Sequence, residues 1–256
     1  MYFVSQKEFK MSKLYTNLAR VYHEIYQTLF DYDKEFEFYD KHLKSNKINT
    51  ILEIGCGTGN LAKRFVSANY DYLGIDLFQE MLDIATENAP KASFLQSDVR
   101  KLSLNQKYDC ALITGRSISY LIENQGIIDA FDNLNESLNL NGILMFDAID
   151  ANLLFSSFDE AKKDILTISF DENHYKRESK SKKNLETGWT WDWSSDYFKK
   201  DNLGEYQSIG NDFSTLRAFL KEEIELFLKL TGFELIEILP KKSYTWDDNF
   251  FIARKK

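Results

Sequence analysis

Three glycines spaced two apart, Gly55, Gly57 and Gly59, break an apolar run within ILEIGCGTGN at residues 51–60. The helix-like stretch LAKRFVSAN follows at once, so the pattern reads as a buried strand, a tight turn and a helix start. Such a turn lets a ligand lie against main chain where a Cβ would clash. Two carboxylates stand at the ends of the next two strand-like runs, Asp76 after YDYLGI and Asp98 after SFLQS. Asp76 is suited to accept from both hydroxyls of a ribose, and Asp98 from an exocyclic adenine amine. Each is singly explained as a cap of the turn that follows it. Their joint placement at strand C-termini is harder to dismiss, because ligands of open α/β sheets bind outside those ends.

The spacing narrows the ligand. A dinucleotide turn, G-x-G-x-x-G, needs its third glycine where Asn60 stands; here it comes one residue early, at Gly59. No Gly-Lys-Ser/Thr follows, which excludes a P-loop. The pattern suggests a ligand that ends as a single nucleoside.

The elements that must hold these residues follow from periodicity. Apolar and tyrosine residues recur at three- and four-residue intervals from Lys13 to Phe30, predicting one amphipathic helix, and KEFEFYDKHLKS predicts a second. Strands over YDYLGID, SFLQSD, YDCALITG and ILMFDAID alternate with helices, with a turn at Asn141-Gly142, implying a parallel sheet covered on both faces. Residues 165–210 alternate at strand period and predict an antiparallel insert of two to four strands. A helix ending at Gly232 and the strands ELIEIL and NFFIARKK complete the chain. The expected division is an N-terminal helical cover at 1–45, an α/β domain at 46–150 and 222–256, and an antiparallel subdomain at 151–221.

A net charge of −8 and a pI near 5.1 disfavour non-specific contact with nucleic acid or an anionic membrane. KRESKSKK at 176–183 is the local exception, read as a solvated hairpin before a docking patch. Cys56 and Cys110 have no pairing or metal spacing and read as buried thiols, so no metal is expected. The N-terminus lacks a signal-peptide core, Met11 is an alternative start, and the expected setting is cytoplasmic. His23, His42 and His174 fall in no motif and are expected at the surface.

Together, ILEIGCGTGN, YLGIDLFQEML and FLQSDVRKL resemble the first three motifs of the class I S-adenosylmethionine-dependent methyltransferases. The resemblance spans roughly residues 15–150 and resumes at 222–254. It implies a Rossmann-like, doubly wound, seven-stranded sheet with its last strand antiparallel. ARVYHEIY and RSISYL resemble small-molecule N-methyltransferases acting on amino sugars or glycine. By position, the resemblance assigns Gly55, Cys56 and Gly57 to the methionine portion of S-adenosylmethionine, and Asp76 to its ribose. Leu77 and Met81 fall beside the adenine, Asp98 and Val99 at its amine and ring face, and Thr114 beneath the sulfonium. Glu53 stands where an aspartate is more usual, and Tyr22 resembles a tyrosine that closes over the cofactor.

The expected reaction is in-line methyl transfer to a small soluble acceptor, an amine before other classes, leaving S-adenosylhomocysteine. Holding the acceptor at attack distance is the largest available contribution, about 7–11 kcal/mol at best. Tyr22 or Tyr120 is expected to orient the acceptor, with Asp147 as partner for an amine. Trp189, Trp191 and Trp193 share one face of a strand. Trp189 and Trp191 are candidate substrate contacts, although packing in a core or in a homodimer interface through the insert takes precedence. A non-catalytic S-adenosylmethionine-binding regulator and an NAD-dependent oxidoreductase are the competing classes.

Overall fold

A computed structural model describes residues 12–243 and 246–256. The first eleven residues, including Met11, lie outside the described residues. In chain order the elements are α1 (Ala19–Leu29), α2 (Tyr32–Ser45), β1 (Thr50–Ile54), α3 (Asn60–Ser67), β2 (Asp71–Asp76), α4 (Gln79–Asn88) and β3 (Ser93–Gln96). Then come β4 (Tyr108–Ile113), α5 (Asn124–Ser137), β5 (Leu138–Ile149) and the short α6 (Ala151–Ser156). The insert holds β6 (Ala161–Phe170), β7 (Asn173–Lys183), β8 (Thr190–Lys200) and β9 (Tyr206–Arg217). α7 (Lys221–Leu230), β10 (Phe233–Lys241) and β11 (Asp248–Lys255) end the chain.

Seven strands pair in the order β10-β11-β5-β4-β1-β2-β3. β1, β2, β3, β4 and β5 run parallel, and β11 runs antiparallel to both neighbours. The central strands β1, β4, β5 and β11 are apolar on both faces, as a doubly covered sheet requires, and the edge strands β3 and β10 are more exposed. Leu52, Ile113, Phe146 and Phe251 pack under α5 and α7, while Ile51, Leu112, Met145 and Phe250 pack under α2 and α3. The expected α/β architecture with its antiparallel last strand is the one observed.

The four insert strands form a separate antiparallel sheet, β6-β7-β8-β9, which spans 161–217 and so exceeds the expected 165–210. Along β7, Tyr175, Arg177, Ser179 and Ser181 are buried, and the lysines between them are half-buried or exposed. The basic run is therefore an ordinary two-faced strand, although Arg177 is inside rather than solvated. The tryptophan face packs on the chain's own core, around Ile149, Leu154 and Ala218, and Trp191 is buried.

Two boundaries differ from expectation. The first helix begins at Ala19, because Lys13–Tyr15 forms a 3-10 turn and Thr16, at φ −114° and ψ −98°, interrupts the spiral. The cause is tertiary: the buried Asp212 carboxylate of β9 accepts from the Ser12 hydroxyl at 3.0 Å and from the Leu14 amide at 3.2 Å. The Asn141-Gly142 turn is absorbed into β5, with Asn141 at φ 62°, a conformation asparagine tolerates. α1 then sits between layers, one side on Ile168 and Tyr197 of the insert, the other on Met81 and Ile84 of α4.

Candidate active site

The glycine turn is shaped by its surroundings as much as by a ligand. Gly55 has φ +70°, and a Cβ there would lie 2.2 Å from the Ser117 hydroxyl. Gly59, at φ +73°, would push a Cβ to 3.0 Å from Ala85 of α4, so the early third glycine serves helix packing. The Gly55 and Cys56 amides both donate to the Ile75 carbonyl, which ties the end of β1 to β2. Gly57 donates its amide to Asp76 at 2.9 Å, and Phe78 donates to the other Asp76 oxygen at 3.0 Å.

Two cavities meet above these strand ends. The larger, about 980 Å3, is lined by Gly55, Gly57, Asp76, Leu77, Met81, Asp98 and Val99, with Phe78, which the sequence reading missed. The smaller, about 190 Å3, takes in Glu53, Cys56, Thr114, Asp147 and Trp191. Tyr22, Gly55, Gly57 and Tyr120 belong to both walls. All the residues proposed above for catalysis, cofactor or acceptor thus border one double site, except Trp189, which lines neither cavity and packs against Phe155 with ring centroids 5.6 Å apart.

Tyr15, another residue the sequence reading missed, stands on the shared wall and hydrogen-bonds through its hydroxyl to that of Tyr120. Its ring meets Tyr22 edge-on at 5.4 Å, and Tyr22 stacks on Tyr26 at 4.2 Å. Its seven-residue separation from Tyr22 was the available signal. Burial, reinforced by Tyr120, raises the Tyr15 pKa well above the ordinary phenol value, so the Tyr15 hydroxyl keeps its proton.

Several carboxylates are already engaged. Asp98 caps the 3-10 turn Val99–Lys101 and is gripped by Arg100, whose Nη2 lies 2.6 Å from one oxygen and whose Nε lies 2.9 Å from the other. Asp147 accepts from the Tyr39 hydroxyl at 2.9 Å and from Lys241 at 3.1 Å, and Lys241 also reaches Glu35 at 2.8 Å. An amine meeting Asp147 would therefore compete with an internal ammonium. Arg116 pairs with Asp248 at 2.9 Å; burial nonetheless raises the Asp248 pKa to about 6.

Among the described residues Glu53 has no cationic partner. It accepts from Thr114 at 2.7 Å and Tyr72 at 2.5 Å, and burial raises its pKa to about 7. Both thiols are buried, and burial raises the pKa of each, against a nucleophilic role.

The histidines depart from expectation. Only His174 is exposed; His42 packs on Phe38 and Phe250. His23 is half-buried, with Nδ1 2.9 Å from the hydroxyl of Thr58 in the glycine turn, and burial, then Arg20, lowers its pKa. Among the described residues no group of three His, Cys, Asp or Glu could hold a metal ion, and no helix is long and apolar enough to cross a membrane.

The sheet order, the antiparallel last strand and the strand-end cavity define the fold of the S-adenosylmethionine-dependent methyltransferases. The chain aligns with such an enzyme from Clostridium acetobutylicum ATCC 824 at a TM-score of 0.75 and 20% identity, covering 94% of this chain and 98% of that one. Residues 51–142 match the family model described as a methyltransferase domain. A protein of Geobacillus sp. (strain WCH70) named as a methyltransferase is 32% identical over 50% of this chain and 58% of its own length. The dTDP-3-amino-3,4,6-trideoxy-alpha-D-glucopyranose N,N-dimethyltransferase of Streptomyces venezuelae is 26% identical over 40% of this chain and 43% of its own. The chain thus spans about half the length of the curated relatives it matches.

Proposed function

We propose that the protein transfers a methyl group from S-adenosylmethionine to an amine on a small acceptor. One observation carries the reading: the large cavity over the ends of β1, β2 and β3 shares its Tyr15–Tyr120 wall with a carboxylate-lined aromatic pocket. The residues fit the cofactor. Asp76 is oriented by two backbone amides, and its carboxylate keeps lone pairs for a ribose diol. Leu77, Phe78, Met81 and Val99 would bracket the adenine, with Asp98 at its edge. Tyr22, Gly55, Cys56, Gly57, Thr114 and Glu53 would surround the amino-acid tail. When bound, S-adenosylmethionine supplies an electrophilic methyl group on sulfonium.

The chain's own contribution is positional. The hydrogen-bonded Tyr15–Tyr120 pair accepts an N–H of the acceptor and so directs the amine lone pair, while Tyr22 and Phe78 exclude water. Asp147, with its charge shared by Lys241 and Tyr39, shapes the pocket rather than taking a proton. In this reading residues 46–150 and 222–256 hold the cofactor, residues 151–221 supply the acceptor side, and Tyr15, Tyr22 and Tyr120 stand on the wall the two share. The Streptomyces venezuelae relative, named for methylation of a sugar amine, supports N-methylation before other chemistries.

Calorimetric titration with S-adenosylhomocysteine, beside NADH, tests the cofactor. NADH binding with no thioether binding would overturn the reading. Cofactor binding without methylation of any amine would favour the regulatory alternative. Tyr120→Phe and Tyr15→Phe are expected to lower kcat more than KM, and the double variant to cost no more than either alone; full activity in both single variants would refute the assignment.

A further inference from the structure

The lining of the large cavity divides in two. One half comes from the ends of β1, β2 and β3; the other comes from the insert, with Asn184, Glu186, Asp192, Phe213, Ser214 and Thr215. A volume of about 980 Å3 stands near the top of the roughly 300–1,000 Å3 range for small-molecule sites. The insert half is organised around one carboxylate. Asp192 Oδ1 accepts from Asn184 Nδ2 at 3.0 Å and from Thr215 Oγ1 at 2.7 Å. Asn184 is itself fixed, accepting from the Glu186 amide at 3.3 Å and donating its own amide to the Thr190 carbonyl at 3.1 Å. The second Asp192 oxygen has no protein partner among the described residues.

The charge of the lining is one-sided. Asp76, Asp98 and Asp192 face the cavity, and among the described residues its lining holds one guanidinium, Arg100, which is paired with Asp98. Lys182, opposite Asp192 across the β7–β8 pair, is exposed, forms no ion pair with it among the described residues and does not line the cavity. A diphosphate is ordinarily met by arginine forks, lysines or a helix N-terminus. Among the described residues the insert half offers none of these, and the carboxylates of Asp76, Asp98 and Asp192 repel an anion.

We infer that the insert half of the large cavity is an acceptor subsite for an uncharged or cationic polyhydroxylated amine, such as a free amino sugar or aminocyclitol, and not for an amine carried on an anionic nucleotide. This rests on the methyl-transfer reading above. Asp192 accepts a hydrogen bond from a hydroxyl or ammonium at its second oxygen, Ser214 and Thr215 supply hydroxyls, and Phe213 covers the C–H face of the ring.

The test uses the full chain saturated with S-adenosylhomocysteine, titrated in a calorimeter with glucosamine, 2-deoxystreptamine, neamine and, separately, thymidine diphosphate. At least one amine is expected to bind and thymidine diphosphate is not. Asp192→Asn, which keeps an acceptor for Asn184 and Thr215, is expected to weaken the amine roughly ten- to a hundredfold and to leave the thioether affinity unchanged. Thr215→Val should produce a smaller loss by loosening Asp192. Preference for thymidine diphosphate, binding of no amine, or an unchanged amine affinity in Asp192→Asn overturns the subsite. Failure of the wild-type chain to bind S-adenosylhomocysteine overturns the methyl-transfer reading and this inference with it. Thioether binding alongside any of the other failures refutes the subsite alone.

Discussion

The two cavities share a wall but are built on opposite principles. The large one presents its key carboxylate, Asp76, on backbone amides, so its hydrogen-bonding capacity faces the cavity. The small one is ringed by acids and bases that have already found each other, Lys241 with Glu35 and Asp147, and Arg116 with Asp248. A pocket lined by paired charges is a structural element that a ligand can touch. A pocket lined by backbone-oriented acceptors is a binding device.

Substitutions should separate the two. Lys241→Met leaves Glu35 and Asp147 without their common cation inside the protein and is expected to cost about 3–5 kcal/mol of stability. Chemical denaturation measures this, and the thioether affinity of the folded fraction should not move. A large loss of affinity with little loss of stability would reverse the assignment of roles.

Glu53 gives a smaller effect with a defined pH signature. Its pKa of about 7 lies above the usual 4.5, so the folded state holds a proton that the unfolded chain has released. Stability from this group is present below pH 4.5 and is lost as pH rises from about 4.5 to 7, about 3 kcal/mol in all. Glu53→Gln should flatten that part of the profile of Tm against pH; an unchanged slope would assign the dependence elsewhere.

On the large cavity, Asp76→Ala is expected to weaken S-adenosylhomocysteine on the order of a hundredfold, since it removes the diol acceptor and strands the Gly57 and Phe78 amides. The smallest effect is expected at Arg100. Its grip on Asp98 competes with any adenine amine, so Arg100→Ala should tighten the thioether severalfold in calorimetry. A weakened complex would make the arginine a direct contributor.

What the sequence revealed follows the same division. Gly55, Gly57, Asp76 and Asp98 lie at the ends of successive parallel strands, and such a sheet delivers those ends to one edge whatever the loops do. Their neighbourhood could be deduced from period and spacing. The Lys241, Asp147, Glu35 and Tyr39 cluster joins α2, β5 and β10, and nothing local in ILMFDAID or ELIEILPK announces such a meeting. The same holds for His23, expected outside and found on Thr58. The helix expected from Lys13 failed for a comparable reason, because its first turn is claimed by Asp212, about 200 residues away.

That anchor on Asp212 has a consequence in time. The Ser12 hydroxyl and the Leu14 amide are both held by one buried carboxylate, and Tyr15 follows immediately. Lifting Tyr15 from Tyr120 therefore means releasing several bonds in one event, since the segment cannot fray residue by residue. On the methyl-transfer reading this segment is expected to act as a latch. The slow step of a turnover is accordingly expected at its opening, when the spent nucleoside leaves, rather than at the passage of the methyl group.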